Sequence, residues 1–298
     1  MKYYQFKIAI VGKKYLFIPY RNAMVNSVKS VGIEAQGFEE IDEALMWKPE
    51  VIVVICPILY QLPKSKNNII WVALQTEQLY TGYGGKIFGN THIKQLKPYL
   101  KFFDLILDWS SDHVNVLEKV AKSKIIYFPH SWIPEIEPTD FENKEQYDLL
   151  FIGNMPGVNQ RRRLAIDYLS KYYNVYPIRN DLWGTAKAEA IKNSKICLNI
   201  HYEESRSMES PRLYDYFAHK AFVLSESMNS TYPFVAGKDF VEFFWTEAKE
   251  IIDYYLSQES ERKNIAQHGY NTAKSVSMNA TIRKLINEII ILRYEKTI

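Results

Sequence analysis

The sequence has few of the residues that build disulfide frameworks and metal centres. It contains two cysteines, Cys56 and Cys197, among 298 residues, and each lies inside an apolar run that is typical of a strand. We therefore expect buried free thiols in a reducing compartment, not a disulfide or a catalytic thiol. The six histidines show no H-x-x-x-H spacing and the chain contains no D-x-D, so the sequence predicts no metal site.

Long hydrophobic runs and a strong charge of one sign are also missing. No window is long and apolar enough to predict a transmembrane helix, and the N-terminal MKYYQFKIAIVG has too short an apolar segment for a signal peptide. The formal net charge is +3, with basic and acidic residues interleaved, so no nucleic acid partner is expected. The sequence predicts a cytoplasmic protein, with any membrane association peripheral and at the inner face.

Two glycine-rich phosphate motifs are absent. No G-x-G-x-x-G follows Gly12, which ends the first predicted strand, so a nicotinamide-dependent enzyme is not expected. Residues 81–90, TGYGGKIFGN, form the most glycine-rich segment but lack the G-K-[ST] ending of a P-loop. We interpret this segment as a loop that contacts an acceptor substrate.

Apolar runs of strand length alternate with helical patterns along the whole chain. This alternation is typical of a doubly wound α/β fold with parallel sheets. A segment with two prolines and many charges, Pro134–Gln146, predicts a linker between two domains. The predicted strands are Lys7–Val11, Ile33–Phe38, Glu50–Cys56, Ile69–Leu74, Asp104–Asp108, Lys124–Phe128, Tyr147–Ile152, Asn174–Ile178, Ile196–Ile200, Ala221–Leu224 and Phe240–Phe244.

The most informative stretch is Lys195–Glu226, KICLNIHYEESRSMESPRLYDYFAHKAFVLSE. It predicts a buried strand, a polar loop, a helix and a further strand. Ser210 is a good N-cap, and Pro211 suits the first helical position because its missing N–H would be unpaired there. The helix is thereby expected to point its N-terminus at whatever lies beyond the preceding strand.

A helix N-terminus in that position suits a phosphate or diphosphate. The backbone N–H groups of Arg212 and Leu213, together with the Arg212 guanidinium, would converge on one anion. Asp215, one turn further on, could accept two hydroxyls of a ribose. The alternative is a structural one, in which Arg212 and Asp215 form an i,i+3 ion pair worth a few tenths of a kcal/mol.

The run SPRLYDYFA, preceded by KICLNI and followed by AFVLSE, resembles the signature of the CgeB-like branch of group 1 glycosyltransferases. That signature is usually Ser-Pro-Arg-x-Phe-Glu-Ala followed by a small residue and glycine. Two positions depart from it: Asp215 stands where the family usually has Glu, and His219-Lys220 replaces the small residue and glycine. The resemblance covers roughly the C-terminal half of the chain.

The resemblance implies a GT-B-like fold, with two Rossmann-like domains facing each other across a cleft. Residues 1–138 would form an acceptor domain and residues 139–280 a nucleotide-sugar donor domain. Residues 281–298 would form a helix that packs back on the first domain.

The resemblance also implies a set of donor-binding residues. Gly153 and Asn154 form the turn after a strand, and in the family an arginine that follows such a glycine reaches the donor diphosphate. Arg161 or Arg162 fits that place, with a solvent-exposed helix face as the alternative for at least one of Arg161 to Arg163. The loop from His201 to Glu209, which includes Tyr202, would line the donor sugar and base, ahead of the donor-binding Ser210, Pro211, Leu213 and Asp215.

Two residues outside this set are candidates for catalysis beside Arg212. Glu77 lies at the carboxyl end of a predicted strand, where open α/β sheets bind ligands, and could orient a hydroxyl or act as acid or base. Its alternative role is to cap the segment that follows. His130, at the exit of the last strand before the linker, could hydrogen-bond the transferred sugar or be a buried structural histidine.

Together with the residue patterns, the resemblance implies a glycosyltransferase that uses a nucleotide-sugar donor, expected to be a UDP-sugar, and a glycan, protein or other cellular acceptor. No other cofactor is expected, because fixed positive groups would stabilise the leaving diphosphate in place of a metal. The family resemblance implies retention of anomeric configuration. The alternatives are a nucleotide-sugar 2-epimerase and a two-lobed binding protein without catalysis.

Overall fold

The structure is a computed structural model of the chain. It describes residues 6–13, 17–77, 79–81, 86–87, 99–119, 121–133, 144–153, 160–177, 182–201 and 206–296. The chain divides into two compact units: unit 1 consists of Met1–Glu135 and Val276–Ile298, and unit 2 of Ile136–Ser275.

The strands of the described residues are β1 (Lys7–Val11), β2 (Glu34–Phe38), β3 (Val51–Ile55), β4 (Ile70–Gln75), β5 (Tyr80–Thr81), β6 (Lys86–Ile87), β7 (Leu105–Asp108), β8 (Lys124–Tyr127), β9 (Tyr147–Phe151), β10 (Ser194–Asn199), β11 (Val223–Glu226) and β12 (Val241–Phe243). The helices are α1 (Ile18–Ser30), α2 (Ile41–Met46), α3 (Ser111–Leu117), α4 (Gln160–Leu169), α5 (Gly184–Lys192), α6 (Ser210–Ala218), α7 (Ala248–Ser257), α8 (Glu259–Ser275) and α9 (Met278–Glu295). A short 3-10 turn, Pro57–Leu59, follows β3.

Unit 1 is built on a parallel sheet in the order β2-β1-β3-β4-β7-β8. Every residue of β3 and β4 is buried, as expected for central strands that are covered on both faces. The antiparallel pair β5-β6 lies outside this sheet.

The last helix, α9, is part of unit 1. The hydroxyl of Ser27 in α1 donates a hydrogen bond to the Asn279 side chain at 2.6 Å, and Lys124 at the start of β8 pairs with Glu288 at 2.6 Å. The buried residues of α9 follow helical spacing, so one apolar face of this helix is covered by the unit.

Unit 2 is built on a parallel sheet in the order β12-β11-β10-β9. The strand predicted at Asn174–Ile178 is wrong in extent, because the structure forms a single parallel bridge there, between Val175 and Leu149 of β9. With that correction, the doubly wound α/β class is confirmed in both units.

Cys56 and Cys197 are buried thiols that form no disulfide, which confirms the prediction from their apolar surroundings. Among the described residues no helix combines the length and the apolar character that crossing a membrane requires.

Candidate functional site

The candidate site in unit 2 lies at the carboxyl ends of β9 and β10. The backbone N–H of Tyr176 donates to the carbonyl of Leu149, so the bridge at Val175 occupies the edge of β9 that β10 leaves open. The chain therefore leaves β9 towards one side of the sheet and returns to it on the other side as β10. Such a switch point opens the crevice in which open α/β sheets bind ligands.

Gly153 lies at this switch point, two residues after β9. A Cβ added there would stand 2.7 Å from Cζ of Phe151 and 2.8 Å from Nη2 of Arg212, both closer than real Cβ contacts. Glycine at this position thus allows the arginine and the aromatic ring to approach the turn.

Arg212, the central residue of the sequence prediction, is held by several partners. Its Nη1 donates to Oδ1 of Asn199 at 2.9 Å and to the carbonyl of Ile200 at 3.2 Å. Its Nη2 lies 2.5 Å from Oε2 of Glu209, and the guanidinium carbon stands 5.1 Å from the centre of the Phe151 ring. These contacts therefore hold the Arg212 guanidinium at the carboxyl end of β10.

Arg162 is more deeply buried, with 1% of its surface exposed. Its Nε donates to the carbonyls of Ile200 at 3.0 Å and His201 at 3.2 Å, and its Nη2 donates to both carboxylate oxygens of Glu209 at 2.8 and 3.0 Å. Its guanidinium carbon is 5.2 Å from the Phe151 ring centre. Burial lowers the pKa of Arg162 to about 10, which leaves the side chain charged at neutral pH.

Arg161 pairs with a different carboxylate. It donates to both oxygens of Glu226, at the end of β11, and to the carbonyl of His201 at 3.1 Å. Glu226 also accepts from the backbone N–H of His201 at 2.8 Å and from the indole N–H of Trp245. Arg163, the third member of the run, is exposed, as the helix-face alternative predicts for at least one of the three.

The site carries a net positive charge. Three guanidinium groups, from Arg161, Arg162 and Arg212, face two carboxylates, from Glu209 and Glu226. One positive charge is left over among these five side chains, and Arg161 and Arg212 retain partial solvent access. An anionic ligand would complete this balance.

Two buried polar atoms beside these charges have no hydrogen-bond partner: Nδ1 of His201 and Oγ of Ser210. Nε2 of His201 lies 3.2 Å from the carbonyl of Ser227, and since a carbonyl only accepts, Nε2 carries the hydrogen. Burial lowers the pKa of His201, so the ring is neutral and Nδ1 is an acceptor. A ligand hydroxyl is the kind of donor that would satisfy it.

The start of helix α6 differs from the prediction. Ser210 is the first helical residue, not the N-cap; Pro211 is therefore the second, and Glu209 is the cap residue, without a side-chain capping bond. The N–H of Leu213 donates to the carbonyl of Glu209 at 3.3 Å. The expectation that this amide is free to bind a ligand is therefore wrong, because the helix begins one residue earlier and its first i→i−4 bond uses the amide.

The alternative i,i+3 pair of Arg212 with Asp215 is also wrong. Arg212 pairs at i,i+3 with Glu209 on the N-terminal side, and Asp215 accepts instead from Nζ of Lys187 in α5 at 2.6 Å. The Asp215 carboxylate is thus neutralised within unit 2 and lies outside the arginine cluster.

Tyr216 ties α6 to the switch point, and neither it nor Phe151 was singled out from the sequence. The hydroxyl of Tyr216 accepts from the N–H of Ile152 at 3.0 Å and lies 3.2 Å from the carbonyl of Leu198. Both aromatic residues sit in apolar runs where a core position is the default interpretation. Only the clustering of Gly153 with arginines could have indicated that Phe151 lines the site.

Unit 1 has a separate polar network at the carboxyl ends of β4 and β7. The Gln75 side chain pairs with the backbone of Glu77, donating to its carbonyl and accepting from its N–H, both at 2.6 Å. The Gln75 amide also donates to Asp108 at 3.3 Å, and Asp108 lies 3.0 Å from Nδ1 of His113. The Glu77 carboxylate accepts from the thiol of Cys56 at 3.3 Å. Glu77, a sequence candidate, is therefore held by a buried chain of side chains that the sequence patterns did not reveal.

His130 is buried in unit 1 among aromatic rings. Its ring centre is 4.7 Å from that of Tyr20 and 4.7 Å from that of Trp109. Burial lowers its pKa to about 3. The structural alternative for this residue fits the arrangement better than a role in hydrogen-bonding a sugar.

Some predicted features lie outside the described residues. They are Asn154, Tyr202, Glu203, Glu204, most of the glycine-rich segment at 81–90 and most of the linker predicted at Pro134–Gln146. Within the part of the chain that is described, no group of three or more His, Cys, Asp or Glu side chains is arranged to hold a metal ion.

Residues 140–287 match a family model described as glycosyl transferase-like. The chain has no significant match among curated protein sequences. Among solved structures, it is similar to sucrose-phosphate synthase from Thermosynechococcus elongatus, with a TM-score of 0.65, 10% identity and coverage of 98% of this chain and 100% of that one. It is also similar to Anabaena HepE in complex with UDP and glucose, with a TM-score of 0.60, 10% identity and coverage of 96% and 99%.

A third solved structure, TarM, matches with a TM-score of 0.58 and 8% identity over 80% of this chain, which spans about half (54%) of TarM. The likeness to these structures shows that the chain has a GT-B-like α/β fold, with a Rossmann-like parallel sheet in each unit.

The role of Tyr216 can be tested by Tyr216→Phe, which keeps the ring and removes the hydroxyl. The change leaves the N–H of Ile152 without this acceptor, so the free energy of unfolding of unit 2 should fall by roughly 1–3 kcal/mol. Urea denaturation measures it, with Tyr172→Phe, at an exposed position, as the control. An equal effect of the two changes would contradict the role of the hydroxyl.

The burial of His130 predicts a pH dependence of stability. Its pKa is about 3 in the folded chain, whereas an unfolded histidine titrates near ~6.5, so the unfolded state binds the extra proton as the pH falls below that value. The free energy of unfolding of unit 1 should therefore fall by up to about 1.4 kcal/mol per pH unit between roughly pH 6 and pH 4.

His130→Phe keeps a ring in the same packing and removes the titration. The difference in the pH slope between the wild type and this variant, measured by urea denaturation, isolates His130 from the other histidines. Identical slopes would show that the His130 pKa is not lowered by burial.

Proposed function

We propose that the chain is a glycosyltransferase that takes a sugar from a nucleoside diphosphate sugar and transfers it to a hydroxyl of a glycan, protein or other cellular acceptor. The observation that carries the proposal is the arginine cluster at the switch point of unit 2, within the segment that matches the glycosyl transferase-like family. A UDP-sugar is the proposed donor, supported by the likeness to HepE, whose structure contains UDP.

In this proposal the donor diphosphate binds at the N-terminus of α6, against Arg212 and the partly exposed Arg161. Because Gly153 has no side chain, Nη2 of Arg212 can lie against the turn after β9, where we propose that the phosphates bind. Nδ1 of His201 and Oγ of Ser210 bind hydroxyls of the donor, since both are buried acceptors without a partner. Asp215 is retained as the candidate for the ribose, its charge already balanced by Lys187.

The reaction breaks the bond between the anomeric carbon and the diphosphate oxygen. The acceptor oxygen bonds to the same carbon, and the acceptor proton passes to the leaving diphosphate oxygen. The charge that develops on the diphosphate meets guanidinium groups that are fixed before the reaction, so little reorganisation is needed. We propose that the enzyme needs no metal and retains the anomeric configuration, with Glu77 on the acceptor side.

The donor site is tested by thermal unfolding of the wild type with UDP, GDP, ADP and their sugars. A ligand at about a hundred times its Kd stabilises by about 2.7 kcal/mol, which for a chain of this size should raise the midpoint by several degrees. Arg212→Ala should abolish the shift and Arg212→Lys should reduce it, because lysine keeps the charge but not the two-pronged geometry.

Arg163→Ala is the matched control, an exposed arginine of the neighbouring helix whose loss should leave the shift unchanged. No shift with any nucleotide in folded wild type would contradict the proposed donor site. A shift that survives in Arg212→Ala would contradict the role of that arginine.

The reaction is tested with the nucleotide sugar that binds, incubated with and without an acceptor panel and in the presence of EDTA. Transfer to an acceptor, undiminished by EDTA and with retained configuration by NMR, is the expected result. An epimerised sugar formed without acceptor would indicate the 2-epimerase instead, and an inverted linkage would rule out retention.

A further inference from the structure

Glu209 already occupies the position at which an anion would be expected. Its carboxylate lies between the guanidinium groups of Arg162 and Arg212, and the residue directly precedes helix α6. A helix N-terminus flanked by two arginines attracts negative charge from any source. In this structure the carboxylate supplies that charge.

The two arginines do not need Glu209 to hold their positions. Nε of Arg162 is bonded to two backbone carbonyls, those of Ile200 and His201. Nη1 of Arg212 is bonded to Asn199 and also to the carbonyl of Ile200. Since these neutral acceptors lie on the rigid end of β10, the guanidinium groups would stay in place if the carboxylate moved away.

The contact of Glu209 with His201 is a poor one. Nδ1 of His201 lies 3.9 Å from Oε1 of Glu209, and this nitrogen is an unprotonated acceptor because Nε2 carries the hydrogen. Two acceptors facing each other gain no hydrogen bond, and Nδ1 has no other partner although His201 is only 2% exposed. Glu209 therefore supplies one negative charge to the two arginines but leaves the hydrogen bonding of His201 incomplete.

We infer that Glu209 is an internal counter-anion, which offsets part of the positive charge of Arg162 and Arg212 in the unliganded site and is displaced from Arg212 when the diphosphate of a nucleotide binds. This inference rests on the proposed function, because it assigns a competitor to the same site. The arginines exchange one carboxylate for the more highly charged diphosphate, and a hydroxyl of the ligand satisfies Nδ1 of His201.

If Glu209 competes with the diphosphate for Arg212, removing its charge should have two opposite effects: lower stability of the unliganded protein and tighter binding of the ligand. Glu209→Gln keeps the shape and removes the charge, so the unliganded protein should lose stability because the buried Arg162 and the partly exposed Arg212 lack their counter-charge. The same change should tighten binding of UDP and of inorganic pyrophosphate about tenfold, since no carboxylate has to be displaced. Binding of uridine, which carries no phosphate, should not tighten.

The measurement is isothermal titration of UDP, pyrophosphate and uridine at fixed ionic strength, with the midpoint of thermal unfolding of the unliganded protein. Glu145→Gln is the matched control, because Glu145 pairs with the buried Arg262 of unit 2 at 3.1 Å. It should lower the midpoint without tightening any ligand. If Glu209→Gln does not fold, Glu209→Asp, which shortens the side chain by one methylene, should tighten UDP and pyrophosphate by a smaller factor.

The outcomes separate this inference from the proposed function. A wild type that binds UDP, with a Glu209→Gln variant that binds it equally or more weakly, overturns the inference alone and makes Glu209 a residue that holds the arginines or the ligand. A wild type that binds neither a nucleotide nor pyrophosphate overturns the proposed function and the inference together.

Discussion

The placement of two guanidinium groups beside one aromatic ring, at the carboxyl ends of β9 and β10, is the constraint on which the candidate site depends. Phe151 brings both groups within about 5 Å of its ring centre, and the carbonyl of Ile200 accepts from both Arg162 and Arg212. Burying a charge without compensation costs several kcal/mol. Glu209 therefore follows from the arginines as a physical requirement of the unliganded state.

The parallel sheet of unit 2 supplies hydrogen-bond acceptors for the arginines of the cluster. A strand that ends at a switch point presents backbone carbonyls which no neighbouring strand uses, and those after β10 accept from the buried guanidinium groups. Gly153 removes the side chain that would otherwise fill the space after β9. The hydroxyl of Tyr216 then joins the two strand ends to α6, so that helix, turn and strands form one support.

Local patterns in the sequence were sufficient for the fold and for part of the site. Apolar runs of five or six residues predict buried parallel strands because both faces of such a sheet are covered, and β1 has the predicted bounds. The strand predicted at Asn174–Ile178 was wrong in extent because a single bridge, between Val175 and Leu149, forms there in place of a ladder. The side-chain partners of Asp215 and Glu77 could not be predicted, since Lys187 lies 28 positions from Asp215 and Cys56 lies 21 from Glu77. Such pairs follow from strand and helix packing, which no local spacing encodes.

The polar ends of the two sheets differ in charge. In unit 2 the cluster is built from arginines that exceed their carboxylates by one charge, which suits a phosphate. In unit 1 the network after β4 and β7 contains the carboxylates of Glu77 and Asp108 with a histidine and an amide, a set of groups that suits a hydroxyl. A transferase must bind an anionic leaving group and a neutral nucleophile. Under the proposed function, the diphosphate is assigned to the arginine cluster of unit 2, and the network of unit 1 is the candidate for the acceptor hydroxyl, a role that a nucleotide-binding protein without catalysis would not need.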